Sequence, residues 1–545
     1  MLVNPKGERV AGASRACQLR PAGLSAAAAR TLQQALDTLI GLYVVYFFSY
    51  LTFRKYVLER ATMNEPSAST PDWVKKAVFY QIFPDRFAWS PHVTKPGNFE
   101  AWDSAPTPKG FKGGDLLGVY EKLDYLEDLG IDAIYFNPIF QSASNHRYHT
   151  HDYYQVDPLL GGNAAFHTLL DEAHKRGIRV VLDGVFNHSS RGFFQFNHIL
   201  ETEEKSPYLD WFFIHGFPLN AYNGVPNYDC WWALPGLPKF NTGNPQVRKF
   251  IMDVARYWID QGADGWRLDV PFEIDDDSFW QEFRAVVKDA NPEAYIVGEI
   301  PSEAQRWLRG DQFDGVMNYQ LTLACLSFFG GACIDKPLAE GMMGLELPVA
   351  TDAAHFMERV SHLLTIYPHE NALAQLNLLS SHDMPRFLSL VSNETNRLWL
   401  AYLFVLTYPG APCIYYGDEI GLTGGKDPDC RKAFPWDKAD WNQDLRTKLR
   451  ELVLVRHALP ALQTGSFEPL FTEGNVLAYV RADAEEHVLV VINASETSHT
   501  LNLPVASWFA QGTELQDQLS SQHVTVQDGS IAELKLPPLS AYIFA

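Results

Sequence analysis

Eight times between residues 77 and 459 the chain passes through a short apolar stretch and then a longer amphipathic one. A short apolar run bounded by turn residues reads as a strand. Apolar residues spaced three and four apart read as a helix. Strands are predicted at 77–84 (AVFYQIFP), 131–140 (IDAIYFNPIF), 179–186 (RVVLDGVF), 264–270, 294–300, 313–319, 374–381 and 411–416. Helices are predicted at 116–129, 164–176, 245–262, 278–289, 302–308, within a long region reaching about 367, at 393–408 and at 445–459. The third helix carries its own punctuation, with Asn244 before it, Pro245 in its first turn and Gly262 at its stop. Parallel strands joined by crossover helices form a doubly wound sheet or a closed barrel, and eight units favour the α/β class as a (β/α)8 TIM barrel.

Two segments depart from that rhythm. Residues 189–242 are irregular and aromatic, with Trp231 and Trp232 adjacent, and they exceed an ordinary connection. They read as a small inserted domain after strand 3. Beyond residue 463 short alternating runs appear, among them VLAYVRA, HVLVVINA and AELKLP, separated by turn residues. Residues 464–545 therefore read as a C-terminal antiparallel β-sandwich, and 63–463 as the barrel with its insert.

The first 62 residues differ in texture. They hold eight Lys and Arg against three Asp and Glu, whereas the whole chain carries −21. Residues 39–53 (LIGLYVVYFFSYLTF) are uncharged. As a helix they reach about 22 Å, short of the roughly 30 Å hydrocarbon core. The leader reads as a spurious start ahead of Met63 or as a membrane anchor. The expected location is accordingly the cytoplasm, or the membrane surface if 39–53 is an anchor.

The acidic balance argues against a nucleic-acid partner and for a neutral ligand. The 14 Trp, 24 Tyr and 34 Phe supply faces suited to sugar, although most belong in the core. Cys17, Cys230, Cys325, Cys333, Cys413 and Cys430 lack CxxC or CxxH spacing, so neither a zinc site nor a disulfide framework is expected.

Chemistry collects at strand ends, where barrels of this kind work. Strand 4 reads DGWRLDV, so Arg267 and Asp269 share one face of a strand. Strand 3 ends in Asp183 to His188 (DGVFNH), strand 5 in Glu299, and strand 7 in His382 and Asp383. Each admits a plainer reading: a structural ion pair, a backbone acceptor, a helix cap, a turn cap. Their coincidence on one rim does not. Three acids at one mouth suit glycoside chemistry, in which one protonates the leaving oxygen and another attacks or stabilises the sugar carbon. Asp269, beside a cation, reads as the nucleophile. Glu299, with no adjacent cation in sequence, reads as the acid/base.

Over residues 75–545 the chain resembles the α-amylase superfamily (glycoside hydrolase family 13), and within it the neopullulanase, cyclomaltodextrinase and maltogenic amylase group. The motifs are YQIFPDRF (80–87), DGVFNH (183–188), LPKFN (237–241), DGWRLDV (264–270), VGEI (297–300), WLRGDQFDGVMNY (307–319) and SSHD (380–383). The resemblance implies a glycosidase that retains configuration through a covalent intermediate, acting on α-1,4 or α-1,6 glucosidic bonds of maltooligosaccharides, cyclodextrins or pullulan, with some transglycosylation. It implies Asp269 as nucleophile, Glu299 as acid/base and Asp383 as the third acid. It implies substrate contacts from Tyr148, His188, Arg267, His382 and Glu273, with Asp183 and Asn187 supporting from behind. An α-glucosidase on short oligosaccharides is the nearest alternative. A non-catalytic accessory chain with a glycosidase-like domain, or a starch-binding scaffold, would not need the three acids.

Departures from the pattern carry expectations too. The group's β-sandwich ahead of the barrel is not seen, which leaves the oligomer open. Phe272 precedes Glu273 where Asn is common, which should alter the acceptor side. Pro301 and Ser302 follow where a Trp is usual. The calcium loop after DRF reads AWSPHVTKPGNF and keeps only Gly114 and Asp115 of its pattern, so no metal or other cofactor is expected.

Overall fold

The structure, a computed structural model, describes residues 70–545. The leader 1–62 and the apolar run 39–53 lie outside the described residues. Among the described residues no helix is long and apolar enough to cross a membrane.

Eight parallel strands form the barrel: β1 Phe79–Ile82, β2 Ala133–Phe136, β3 Arg179–Gly184, β4 Gly265–Leu268, β5 Tyr295–Gly298, β6 Gly315–Val316, β7 Leu376–Leu378 and β8 Ala411–Tyr415. Their order in the sheet is β6-β5-β4-β3-β2-β1-β8-β7, and a parallel bridge between Met317 and Leu376 closes β6 onto β7. The strands are short and almost wholly buried, with helices outside and side chains inside, which is why they read as continuous apolar runs. Gly315 permits the tight closure, because a Cβ there would lie 2.1 Å from the Ala374 carbonyl oxygen.

The helices follow their local signals. Pro245–Asp260 is capped by Asn244, whose side chain accepts from the Gln246 N–H at 2.8 Å, and it buries Val247, Ile251, Val254, Ala255 and Trp258. Two expectations need correction. The helix expected at 116–129 is two pieces, Leu116–Tyr120 and Leu123–Leu129, broken at Lys122. The helix expected at 302–308 is a series of turns, because tertiary partners take its backbone: Ala304 donates its N–H to the Tyr367 hydroxyl, and Gln320 donates to the Pro301 carbonyl.

The insert holds one α-helix, Phe194–Thr202, and three short 3-10 turns at Glu203–Lys205, Leu209–Trp211 and Trp231–Ala233, and it pairs through isolated bridges, including His188 to Lys239. In the C-terminal domain β9 Ser466–Glu473, β10 Val476–Ala482, β11 His487–Asn493 and β16 Ser540–Phe544 form one antiparallel sheet. Strands β12 His499–Pro504 and β15 Ser530–Leu536 pair, as do β13 Glu514–Gln516 and β14 His523–Thr525. The central strands are buried on both faces. Leu477, Tyr479, Val490 and Ile492 face the barrel's core, while Val476, Ala478, Val480, Leu489 and Val491 face Leu503, Ile531 and Leu534. The alternation is the two-residue period of a strand.

Candidate active site

Parallel register builds the site. Asp183 on β3 pairs with Arg267 on β4, and Leu268 on β4 pairs with Gly298 on β5. One step further, the Asp269 N–H donates to the Gly184 carbonyl and the Glu299 N–H donates to the Leu268 carbonyl. Asp183, Arg267, Asp269 and Glu299 thus emerge side by side at the C-terminal rim.

The Arg267 guanidinium is fully buried and divides its fork among three carboxylates. Its Nη1 lies 2.8 Å from Asp183 Oδ1 and 3.1 Å from Asp269 Oδ1. Its Nη2 lies 2.7 Å from Glu299 Oε1. Glu299 has no adjacent cation in sequence, yet it and Asp269 share one guanidinium across neighbouring strands, a proximity that sequence distance hides. Three buried acids face one base. Burial pushes the Asp269 carboxyl well above the usual carboxylate range, and Arg267 only partly opposes it. Burial raises Glu299 and Asp183 in the same way, again against the pull of Arg267. A cluster with this balance holds a proton more firmly than free carboxylates do.

The backbone after Asp269 is strained. Val270, a β-branched residue, takes φ 35° and ψ 52°, a left-handed conformation such residues rarely adopt. That turn aims the Val270 N–H at Glu299 Oε2, 3.1 Å away.

Asp383 is handled oppositely. Burial pushes its carboxyl up, but His382, Arg431 and Arg267 together outweigh burial and hold it below the usual range. His382 Nε2 lies 2.9 Å from Oδ2, and Arg431 Nη2 lies 3.0 Å from Oδ1. Arg431 Nε also donates to the His382 carbonyl. Gln81 Nε2 faces His382 Nδ1 at 3.0 Å, which puts the ring proton on Nε2. The Tyr148 ring lies parallel to the His382 ring, 5.5 Å between centroids, and its hydroxyl reaches His382 Nε2 at 2.6 Å and Asp183 Oδ2 at 2.9 Å.

His188 and Asn187 occupy the loop after β3, which Tyr153 pins by donating its hydroxyl to the Val185 and His188 carbonyls. Burial pushes the His188 imidazole down to about 3, so it is neutral. His188 Nε2 and Asn187 Oδ1 are buried without a hydrogen-bond partner, which leaves both for ligand hydroxyls. Glu273 stands apart from the carboxylates: Lys239 of the LPKFN motif donates to its carbonyl at 2.9 Å and lies 3.3 Å from Oε2.

Arg431, Gln81 and Asn137 were not legible in advance. Asn137 accepts from Gln81 and donates to the Tyr148 hydroxyl, so these residues act behind the ones that face the cleft. The one available signal for Arg431 was a basic residue in the loop after the eighth strand.

The donors near 85–115 do not fit calcium. The Lys95 ammonium lies against the Gly113 carbonyl and Asp115 Oδ2, where a cation would sit. Calcium takes six to eight oxygens, and among the described residues no group of three His, Cys, Asp or Glu is arranged to hold a metal.

Residues 81–454 match the family model described as alpha amylase, catalytic domain. The chain belongs to the alpha-amylase family. Residues 467–545 match the model described as neopullulanase-like, C-terminal domain. This alpha-amylase-family glycoside hydrolase is 45% identical over 435 residues to a cyclomaltodextrinase of Bacillus sp, covering 79% of this chain and 75% of that protein. It is 42% identical to neopullulanase 2 of Thermoactinomyces vulgaris, covering 87% and 78%. Among solved structures, the Nostoc punctiforme debranching enzyme superposes with a TM-score of 0.80 at 49% identity, covering 88% of this chain and 99% of that one.

Proposed function

We propose that this enzyme hydrolyses α-1,4 glucosidic bonds, and α-1,6 bonds as well, in maltooligosaccharides, cyclodextrins and pullulan, retaining configuration and transferring some glycosyl units to sugar acceptors. The observation that carries the reading is the Arg267 fork shared by Asp183, Asp269 and Glu299. Asp269 is the nucleophile that bonds to the anomeric carbon. Glu299 gives its proton to the leaving oxygen and then takes one from the incoming water. Asp383, held ionised, accepts hydroxyls of the reacting glucose, while His188, His382 and Tyr148 fix that ring and Glu273 contributes at the rim. The names of the relatives, a cyclomaltodextrinase, a neopullulanase and a debranching enzyme, support this substrate range. No metal takes part in these steps. The cytoplasm is the proposed location, in keeping with five free cysteines among the described residues.

Release of reducing sugar from β-cyclodextrin, pullulan and soluble starch tests the proposal, with Asp269→Asn and Glu299→Gln alongside. Turnover of at least one polymer or ring, lost in both variants, is expected. Undiminished activity in Asp269→Asn would overturn the assignment, and hydrolysis confined to maltose and maltotriose would replace the substrate range with that of a short-chain glucosidase.

A further inference from the structure

The sixth strand sends no carboxylate and no histidine to the rim; its end reads GVMNY over 315–319. What it delivers is a sulfur. The Met317 thioether accepts the Nε–H of Arg267 at 3.4 Å, and the Tyr319 hydroxyl approaches the same sulfur at 3.8 Å. Met317 and Tyr319 are buried, as is the guanidinium they face. The backbone of Met317 is fixed from both sides. Its N–H donates to the Gly298 carbonyl at 2.9 Å, one residue before Glu299, and it bridges to Leu376 on β7. The sulfur is therefore placed by the same closure of the barrel that places the acid/base.

A guanidinium carries five N–H donors in one plane. Asp183, Asp269 and Glu299 meet Nη1 and Nη2. The Tyr148 hydroxyl lies 3.4 Å from Nη1, and the Tyr135 ring lies 5.9 Å from Cζ. Nε is the nitrogen left over, and it points at Met317. A partner on Nε fixes the plane of the fork, because Nη1 and Nη2 turn with it. A thioether is a weak, uncharged acceptor. It takes the N–H while leaving the positive charge to the three carboxylates, among which a fourth would divide it further. An unpaired Nε is tolerated elsewhere in this fold: those of Arg386 and Arg456 are buried without a hydrogen-bond partner. The sulfur at Arg267 thus answers a need for orientation, beyond the plain filling of space that methionine often serves.

We propose that Met317 is a positioning residue, whose thioether sets the plane of the Arg267 guanidinium and through it the contacts to Asp269 and Glu299. The proposal rests on the glycosidase reading above and extends it to a residue that acts through Arg267. A fork released from Met317 pulls less on both carboxylates, so burial raises each further. Asp269 must be ionised and Glu299 protonated for turnover. Both limbs of the kcat/KM profile therefore move to higher pH.

The test compares the full chain with Met317→Leu and Met317→Gln on β-cyclodextrin, pullulan and soluble starch. Leucine conserves volume and removes the acceptor; glutamine keeps an acceptor at similar reach. Met317→Leu is expected to lower kcat about ten-fold, the low end for losing a hydrogen bond to a charged group, with KM changed less than about two-fold. Both limbs should shift upward, and Met317→Gln should recover most of the loss. Full activity in Met317→Leu would overturn the proposal. So would equal losses in both variants with the limbs unmoved, which is the signature of a packing defect. Crystal structures of the wild type and Met317→Leu read the fork without turnover. A guanidinium that swings off Asp269 or Glu299 in the variant supports the role, and one that keeps all three carboxylates refutes it. Wild-type protein inactive on every glucan would count against the proposed function, and the two crystal structures would still decide the role of Met317.

Discussion

Arg267 Nη2 lies 2.7 Å from Glu299 Oε1, and Nη1 of the same guanidinium reaches Asp183 and Asp269. One buried cation thus serves carboxylates on three neighbouring strands. Nη1 donates to both Asp183 and Asp269 while Nη2 meets Glu299 as a close ion pair, a spread of charge and donors that the point charge of a lysine ammonium cannot imitate.

Arg267→Lys is therefore expected to cut kcat/KM by about a hundred-fold or more, since the charge survives but the fork does not. The acid limb of the pH profile should move to higher pH. A lysine ammonium that cannot reach all three carboxylates pulls less on Asp269, so burial raises its carboxyl further and the ionised nucleophile appears only at higher pH. Arg267→Leu, which leaves the carboxylates with no partner at this position, should destabilise the fold by about 3–5 kcal/mol. A kcat/KM profile and a denaturant melt check the two statements. An unmoved acid limb in Arg267→Lys would show that another group controls Asp269.

The barrel was legible because its strands and helices differ in period, and because strand ends are where polar residues interrupt apolar runs. DGWRLDV places Arg267 and Asp269 on one face from spacing alone, and the structure brings them to 3.1 Å. What sequence could not give was lateral neighbourhood. That Glu299 shares the guanidinium, or that Arg431 reaches Asp383 from the loop after β8, depends on barrel closure and on a loop conformation with no local signal. The segment 302–308 failed for a related reason: its helical spacing is real, but Tyr367 and Gln320 claim its backbone. Trp231 and Trp232 were visible as a pair, yet their stacking on His188 needs the left-handed turn at Trp232.

His188 supplies a prediction with a null pH signature. Its imidazole is pushed down to about 3 by burial, so it stays neutral wherever the enzyme is assayed. His188→Gln keeps a hydrogen-bonding side chain and should lower kcat/KM by about ten-fold, the scale of one weakened buried hydrogen bond. The shape of the pH profile should not change. Loss of a limb in that variant would mean that His188 titrates during turnover.

Asp383 ties stability to pH. Its carboxyl is held below the usual range against burial by His382, Arg431 and Arg267. A depressed carboxylate contributes stability above its unfolded value, near about 3.9, and loses it as pH falls toward the folded value. Arg431→Met removes one of the three groups that hold it down. The Tm deficit of the variant should be largest near neutral pH and shrink as pH drops below about 4. The lost bond to the His382 carbonyl adds a constant offset at every pH. Melts of both proteins across this range decide the matter, and a deficit that grows on acidification would refute it.

The expectation that no metal is needed turns on Lys95. Asp115 is fully buried, with Oδ1 accepting from the Gly118 N–H and Oδ2 from the Ser90 N–H. Those two bonds satisfy its geometry but leave its charge, and the Lys95 ammonium supplies the balancing cation while also meeting the Gly113 carbonyl. A tethered ammonium cannot be removed by a chelator. Wild-type protein is therefore expected to keep its Tm in EDTA and to gain nothing from added calcium. In Lys95→Ala the buried carboxylate is left without its cation, and the fold should lose about 3 kcal/mol, the penalty of breaking a buried pair. Millimolar calcium should raise the Tm of that variant alone, because the vacated carbonyl and carboxylate oxygens then face an open position that a hard cation favours. A wild-type Tm that falls in EDTA, or a variant as stable as its parent, would show that Asp115 is balanced by something other than Lys95.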